Sequence, residues 1–102
     1  MKIASYCGPA YWALKQYDKA IGDCSEIIRH KPHDPDGYYQ RGSDYLELKQ
    51  YEKAISDYSE AIRLQPESAV LYYHRGDAYA ALGAKSKAEQ DYRKARELRG
   101  NH

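Results

Sequence analysis

The chain repeats itself every 34 residues. Gly8, Gly42 and Gly76 stand at that interval (42−8 and 76−42). So do Tyr11, Tyr45 and Tyr79, then Ala20, Ala54 and Ala88, then Asp23, Asp57 and Asp91. Pro32 and Pro66 close the first two units, and Gly100 stands where a third proline would fall. A fixed period of this length means one supersecondary unit stacked on copies of itself, because a lone unit cannot bury its own apolar face. The 102 residues are therefore read as one domain of three units, approximately 1–34, 35–68 and 69–102.

The second unit shows the physics most clearly. Tyr38, Tyr45 and Leu48 recur at spacings of seven and three, which is one stripe of a helix. Ala54, Ile55, Tyr58, Ala61, Ile62 and Leu64 form a second stripe of the same kind. The residues around Lys49 and Gln50 make the turn between them, and Pro66 ends the second helix because it has no N–H to continue the ladder. Gly42 inside the first helix costs about 1 kcal/mol against alanine. Its recurrence as Gly8 and Gly76 implies a packing reason: without a side chain it lets the second helix approach closely, near Ala54 and Tyr58.

This pattern resembles the tetratricopeptide repeat. The residues that carry the resemblance are Tyr38, Gly42, Tyr45, Ala54, Tyr58, Ala61 and Pro66 in the second unit. The third reads Tyr72, Gly76, Tyr79, Ala88, Tyr92 and Ala95, and the first reads Gly8, Tyr11, Ala20, Cys24, Ile27 and Pro32. The resemblance covers essentially the whole chain. It implies an all-α fold in which three antiparallel helix pairs stack into a short right-handed superhelical solenoid with a concave face.

The units differ at informative places. Ile21 and Ile55 become Glu89, Ile28 and Ile62 become Arg96, and Tyr17 and Tyr51 become Lys85. Charge at positions that pack on a following repeat removes the need for that repeat. Lys85, Glu89 and Arg96 are therefore read as a C-terminal cap, since the last unit of a solenoid needs a polar outer face. The first unit departs the other way. Pro9 follows Gly8, and proline is harmless only in the first turn of a helix, so the first helix is expected to begin near Pro9 and run to about Lys15.

Lysine plus arginine (16) nearly balances aspartate plus glutamate (15), which argues against a general nucleic-acid or membrane-surface binder. No apolar run approaches the ~20 residues of a membrane span, and residues 1–15 show no secretory signal pattern. Cys7 and Cys24 are expected as free thiols at apolar helix positions in the cytoplasm or another reducing compartment. A disulfide within the first helix pair is the alternative, because the two positions face one another in a hairpin. No metal or other cofactor is expected: His30, His33, His74 and His102 make no ligand motif, and neither do the two cysteines. No nucleophile or base stands beside an orienting partner, so no catalytic residue is assigned and the chain is expected not to be an enzyme. Asp23, Asp57 and Asp91 recur in every unit, which marks a structural or solvated helix position.

The resemblance implies that the first helix of each pair lines a concave groove that takes a peptide segment of a partner protein. It places Tyr39, Gln40, Ser43, Leu46 and Glu47 there from the second unit, Tyr73, His74, Asp77, Ala80 and Ala81 from the third, and Trp12 from the first. Tyr39 and Tyr73 should form an aromatic ladder on successive first helices. Some members of the family hold the C-terminal carboxylate of a chaperone with basic and amide side chains. The corresponding positions here are Ser5, Pro9, Gln40, Val70 and His74, which supply no cation at neutral pH except a protonated His74, and that reading is disfavoured. The main alternative to a peptide-binding scaffold is a self-associating module, a homo-oligomer formed by exchange of residues 1–15, motivated by the proline near the start of the first helix.

Overall fold

The computed structural model describes residues 17–100. They form five helices and no strand: α1 (Tyr17–His30), α2 (Pro35–Glu47), α3 (Tyr51–Leu64), α4 (Ala69–Leu82) and α5 (Lys85–Gly100). Each helix packs on the next in sequence, and α2 also touches α4. Short turns between such helices make neighbours antiparallel. The result is a helical-repeat solenoid in which α2 and α4 lie side by side and α3 is wedged between them. The helix expected from about Pro9 to Lys15, with Trp12, lies outside the described residues, as does Cys7.

Local chemistry sets the helix boundaries. At the start of α2, Asp34 is the N-cap and accepts the Asp36 N–H at 3.0 Å, while Pro35 occupies the first turn, where its missing N–H costs nothing. The α3 helix ends at Leu64, and Gln65 leaves the helical region (φ −142°, ψ 76°) because the following Pro66 disfavours helical backbone before it. Helices α2 and α4 close in the same way. The Gln50 N–H reaches Tyr45 O and the Ala84 N–H reaches Tyr79 O, both at 2.9 Å. This closure requires a left-handed residue just before the donor. Gly83 supplies it at φ 86°, and in the second unit Lys49 is forced into it at φ 64°.

The core is built around α3. Ala54, Tyr58, Ala61 and Ile62 are buried with Leu71 and Ala78 of α4, and Tyr38, Tyr39, Tyr45, Leu46, Ile55 and Tyr72 pack around them. The glycines work as the spacing implies. A Cβ at Gly42 would meet the Tyr58 ring at 3.1 Å and Asp57 Cβ at 3.3 Å, and a Cβ at Gly76 would meet the Tyr92 ring at 2.9 Å. Those helix pairs therefore touch at a distance that only glycine permits.

The recurring aspartates at 57 and 91 are structural rather than solvated. Arg41 donates from Nε and Nη2 to the two oxygens of Asp57, each at 2.8 Å, and from Nη1 to Ser25 Oγ at 3.0 Å. One unit later, Arg75 donates to both oxygens of Asp91 at 2.9 Å and to Ser59 Oγ at 3.1 Å. Each guanidinium thus ties three consecutive helices. The aspartates are 4% and 5% exposed, and a bidentate fork satisfies a buried carboxylate better than any single donor. The spacing also held the signal for the arginines and serines, since 41 and 75, and 25 and 59, stand 34 apart.

The positions read as a cap, Lys85, Glu89 and Arg96, are all exposed, whereas Tyr51 and Ile55 are half-buried and Ile62 is buried. One expectation fails. Cys24 is fully buried, its Sγ lies 3.9 Å from Asp44 Oδ2, and it is disulfide-bonded rather than a free thiol. Cys7, the one other cysteine of the sequence, lies outside the described residues. No described helix is long and apolar enough to cross a membrane.

Candidate functional site

Tyr39 and Ser43 stand one helical turn apart on α2, and Tyr73, His74 and Asp77 stand within one turn on α4. Because α3 separates the two helices on one side only, these residues meet on the other. Tyr39 and His74 are the hinge of the arrangement: their rings lie 5.5 Å apart, and Tyr39 OH is 3.4 Å from His74 Nε2. His74 also stacks on Tyr58 at 5.9 Å with 19° between the planes, and meets Tyr73 edge-on at 5.8 Å. The ring contacts therefore run from Tyr39 through His74 to Tyr73, so the expected tyrosine ladder has a histidine as its middle rung. Tyr73 continues to Tyr92 of α5 at 5.5 Å.

A second regularity joins this surface to the core. Ser43 Oγ lies 3.0 Å from Tyr58 OH, and one unit later Tyr92 OH donates to Asp77 Oδ1 at 2.6 Å. In each unit a side chain of the first helix holds the phenol of the second. Ser43 also donates to Tyr39 O at 3.0 Å, which fixes its rotamer.

The environment sets the charge states. Burial pushes the His74 imidazole below its ordinary pKa, with Asp77 opposing only in part, so His74 is neutral at neutral pH. Burial drives the Tyr58 phenol well above its usual range. The hydrogen bond to Asp77, with burial second, raises Tyr92 to about 12. Both phenols are therefore donors under ordinary conditions.

At the N-terminal ends of α2 and α4 the surface opens into a shallow cavity of about 180 Å³, lined by Pro35, Asp36, Tyr39, Gln65, Val70 and Leu71 among others. Val70 and Tyr73 are about half exposed (52% and 51%), which is unusual for large apolar side chains three residues apart on one helix.

Of the residues assigned from sequence to the concave face, Tyr39, Ser43, Tyr73, His74 and Asp77 come together. Gln40 is half-buried on the same helix. Glu47 stands apart, exposed at the end of α2, where its charge acts on Tyr17 of α1. Trp12 lies outside the described residues. Sequence reasoning missed the parts of Tyr92, Asp36 and the exposed Val70. The 34-residue spacing of the pairs Ser43–Tyr58 and Asp77–Tyr92 was the available signal for the first of these. No group of acidic, histidine or cysteine side chains suited to a metal ion occurs among the described residues.

A five-helix repeat of this geometry defines an all-α helical-repeat scaffold. The chain belongs to the tetratricopeptide repeat family. A TPR repeat model matches residues 42–83, and a tetratricopeptide repeat model matches residues 69–102. No curated protein matches the chain. Among solved structures it is similar to the first TPR of Spaghetti (RPAP3) bound to the HSP90 peptide SRMEEVD, at 31% identity and a TM-score of 0.85, covering 91% of this chain and 74% of that one. It is also similar to the Arabidopsis OM64 TPR domain, at 26% identity and a TM-score of 0.88, covering 99% and 84%. The TPR2B domain of yeast Sti1, in a complex with pHsp70, is similar at 25% identity and a TM-score of 0.87, covering 95% and 78%.

Proposed function

We propose that this chain is a non-catalytic interaction scaffold that holds a peptide segment of a partner protein against the face shared by α2 and α4. The observation that carries the reading is the continuous ring surface Tyr39–His74–Tyr73, flanked by the half-exposed Val70 and the cavity beside Tyr39. Aromatic side chains held by their neighbours lose little entropy on binding and dominate interface energetics. Peptides bound by two of the similar structures support a partner of the same kind. Lys85, Glu89 and Arg96 serve as the polar end of the stack.

The chaperone-carboxylate mode is not the one proposed. Val70 is apolar, and His74 loses its proton to burial, so neither supplies the cation that mode needs.

Replacing Tyr39 and Tyr73 together by alanine tests the reading. Peptide affinity, measured by calorimetry, is expected to fall at least tenfold, since one hot-spot aromatic is worth about 2 kcal/mol. Circular dichroism should be unchanged. Retained affinity in the double variant overturns the groove assignment.

A further inference from the structure

We infer that the segment taken by this groove is cationic, a lysine- or arginine-bearing peptide that seats an apolar side chain in the cavity between Tyr39 and Val70. The inference rests on the peptide-groove reading above and adds the chemistry of the partner.

Of the four acids on the two groove helices, Asp44 is buried against Cys24 and Glu47 stands apart at the end of α2, so the acids near the ring surface are Asp36 of α2 and Asp77 of α4. The same helices carry two cations, Arg41 and Arg75. Both are committed elsewhere. Arg41 forks onto Asp57 and Arg75 onto Asp91, with side chains only 23% and 21% exposed. Neither arginine is therefore spent on Asp36 or Asp77. The other lysines and arginines of residues 17–100 sit on α1, α3, α5 and the turns. His74, in the middle of the surface, is neutral.

Two of these acids stand where a ligand would lie. Asp36 lines the cavity with Tyr39, Val70 and Leu71. Asp77 accepts Tyr92 OH through Oδ1, and a carboxylate has lone pairs for several donors. Tyr39 follows Asp36 by three residues on α2, and Tyr73 precedes Asp77 by four on α4. An ammonium or guanidinium laid over a tyrosine face is attracted by the ring quadrupole, and a carboxylate is not. The site itself is the aromatic surface and its cavity; the carboxylates choose which peptides it accepts. The HSP90 peptide in the similar structure has the opposite character, with two glutamates and one aspartate against a single arginine. Like charge across a partly desolvated surface is costly.

Panning a random dodecamer peptide library on the full chain tests this. Enriched clones should carry net positive charge, with a lysine or arginine within a few residues of an apolar side chain. Their synthetic peptides should lose about tenfold in affinity with the Asp36→Asn/Asp77→Asn variant. Their affinity should also fall steeply as salt rises through ~0.1 M, where the screening length is about 10 Å. Asparagine preserves shape and hydrogen bonding, so the fold, checked by circular dichroism, should persist. Clones that are acidic or uncharged, yet depend on Tyr39 and Tyr73, overturn the charge inference and leave the groove reading standing. So do cationic clones that the Asp36→Asn/Asp77→Asn variant binds unchanged. Absence of enriched clones, or clones indifferent to the Tyr39→Ala/Tyr73→Ala variant, overturns the groove reading and this inference with it.

Discussion

Helices α3 and α5 occupy the same place in successive units, and their fates differ. Each begins two or three residues after a left-handed turn, each offers alanines at the same positions, and each holds an aspartate in an arginine fork. Yet α3 buries Tyr58 completely and Ile62 almost so, whereas α5 buries only Ala88, Asp91 and Ala95. The reason is the neighbour. Among the described residues, helix α3 packs on both α2 and α4, and α5 packs chiefly on α4. Small residues and the ion pair serve the contact within a unit, and they recur in α5. Large apolar residues of α3 serve the contact with the next unit, and α5 carries exposed Lys85, Glu89 and Arg96 at those positions. The comparison separates two kinds of repeat position that look alike in a periodic sequence.

The largest test of that separation is the tyrosine pair. Tyr58→Ala should cost about 4 kcal/mol, the usual scale for emptying a large aromatic site in a core. Tyr92→Ala should cost less than half as much, because that ring is already partly in water. Urea unfolding of the two variants measures both, and equal losses would break the distinction.

A charge exchange comes next. Ile62→Arg places a cation in the α3–α4 contact and should cost about 3 kcal/mol, the scale of burying an unpaired charge with its lost packing. Arg96→Ile, the reverse change on α5, should leave the unfolding midpoint nearly unchanged. Combined with Lys85→Tyr and Glu89→Ile, it should make the molar mass by light scattering rise with concentration, as a newly apolar end face finds a second copy.

The glycines sharpen the same point at smaller scale. A Cβ comes slightly closer to its tyrosine at Gly76 than at Gly42, 2.9 Å against 3.1 Å. Distance alone therefore ranks Gly76→Ala as the worse change. Burial reverses the order: Tyr58 is locked on all sides, and the half-exposed Tyr92 can swing. Gly42→Ala should cost about 2 kcal/mol of overpacking, and Gly76→Ala under about 1 kcal/mol once the helix-propensity gain is counted. Thermal unfolding of the two single variants gives the order directly.

The smallest effect concerns the turns. Gly83 holds a left-handed conformation freely, and Lys49 holds the same one at a cost of about 1 kcal/mol. Lys49→Gly should raise the stability of the chain by up to that amount. Loss of stability would mean that the lysine side chain, which no described turn interaction requires, does more than fill the position.

Much of the fold was legible before any coordinates. The period named the architecture, Gly42 and Gly76 marked the close approaches, and the change from Ile55 to Glu89 matched a change from a half-buried to an exposed position. The candidate site was legible only by position. Tyr39, Ser43, Tyr73, His74 and Asp77 were placed on the right helices, but their mutual order was not. The expected tyrosine ladder became Tyr39–His74–Tyr73, because His74 lies between the helices, where its ring can stack on Tyr58. The recurring aspartates were recognised and their arginine partners were not, although both repeat every 34 residues. A repeat reveals which residues recur and is silent on which of them touch.

The sequence by itself therefore determined the repeat, the helix end at Pro66 and the close approaches at Gly42 and Gly76, because these follow from local backbone chemistry and hydrophobic period. Only the tertiary structure decided which tyrosines are buried and which arginines are spent on aspartates. Those outcomes depend on the distance between side chains remote in sequence, and that distance exists only once the helices have packed.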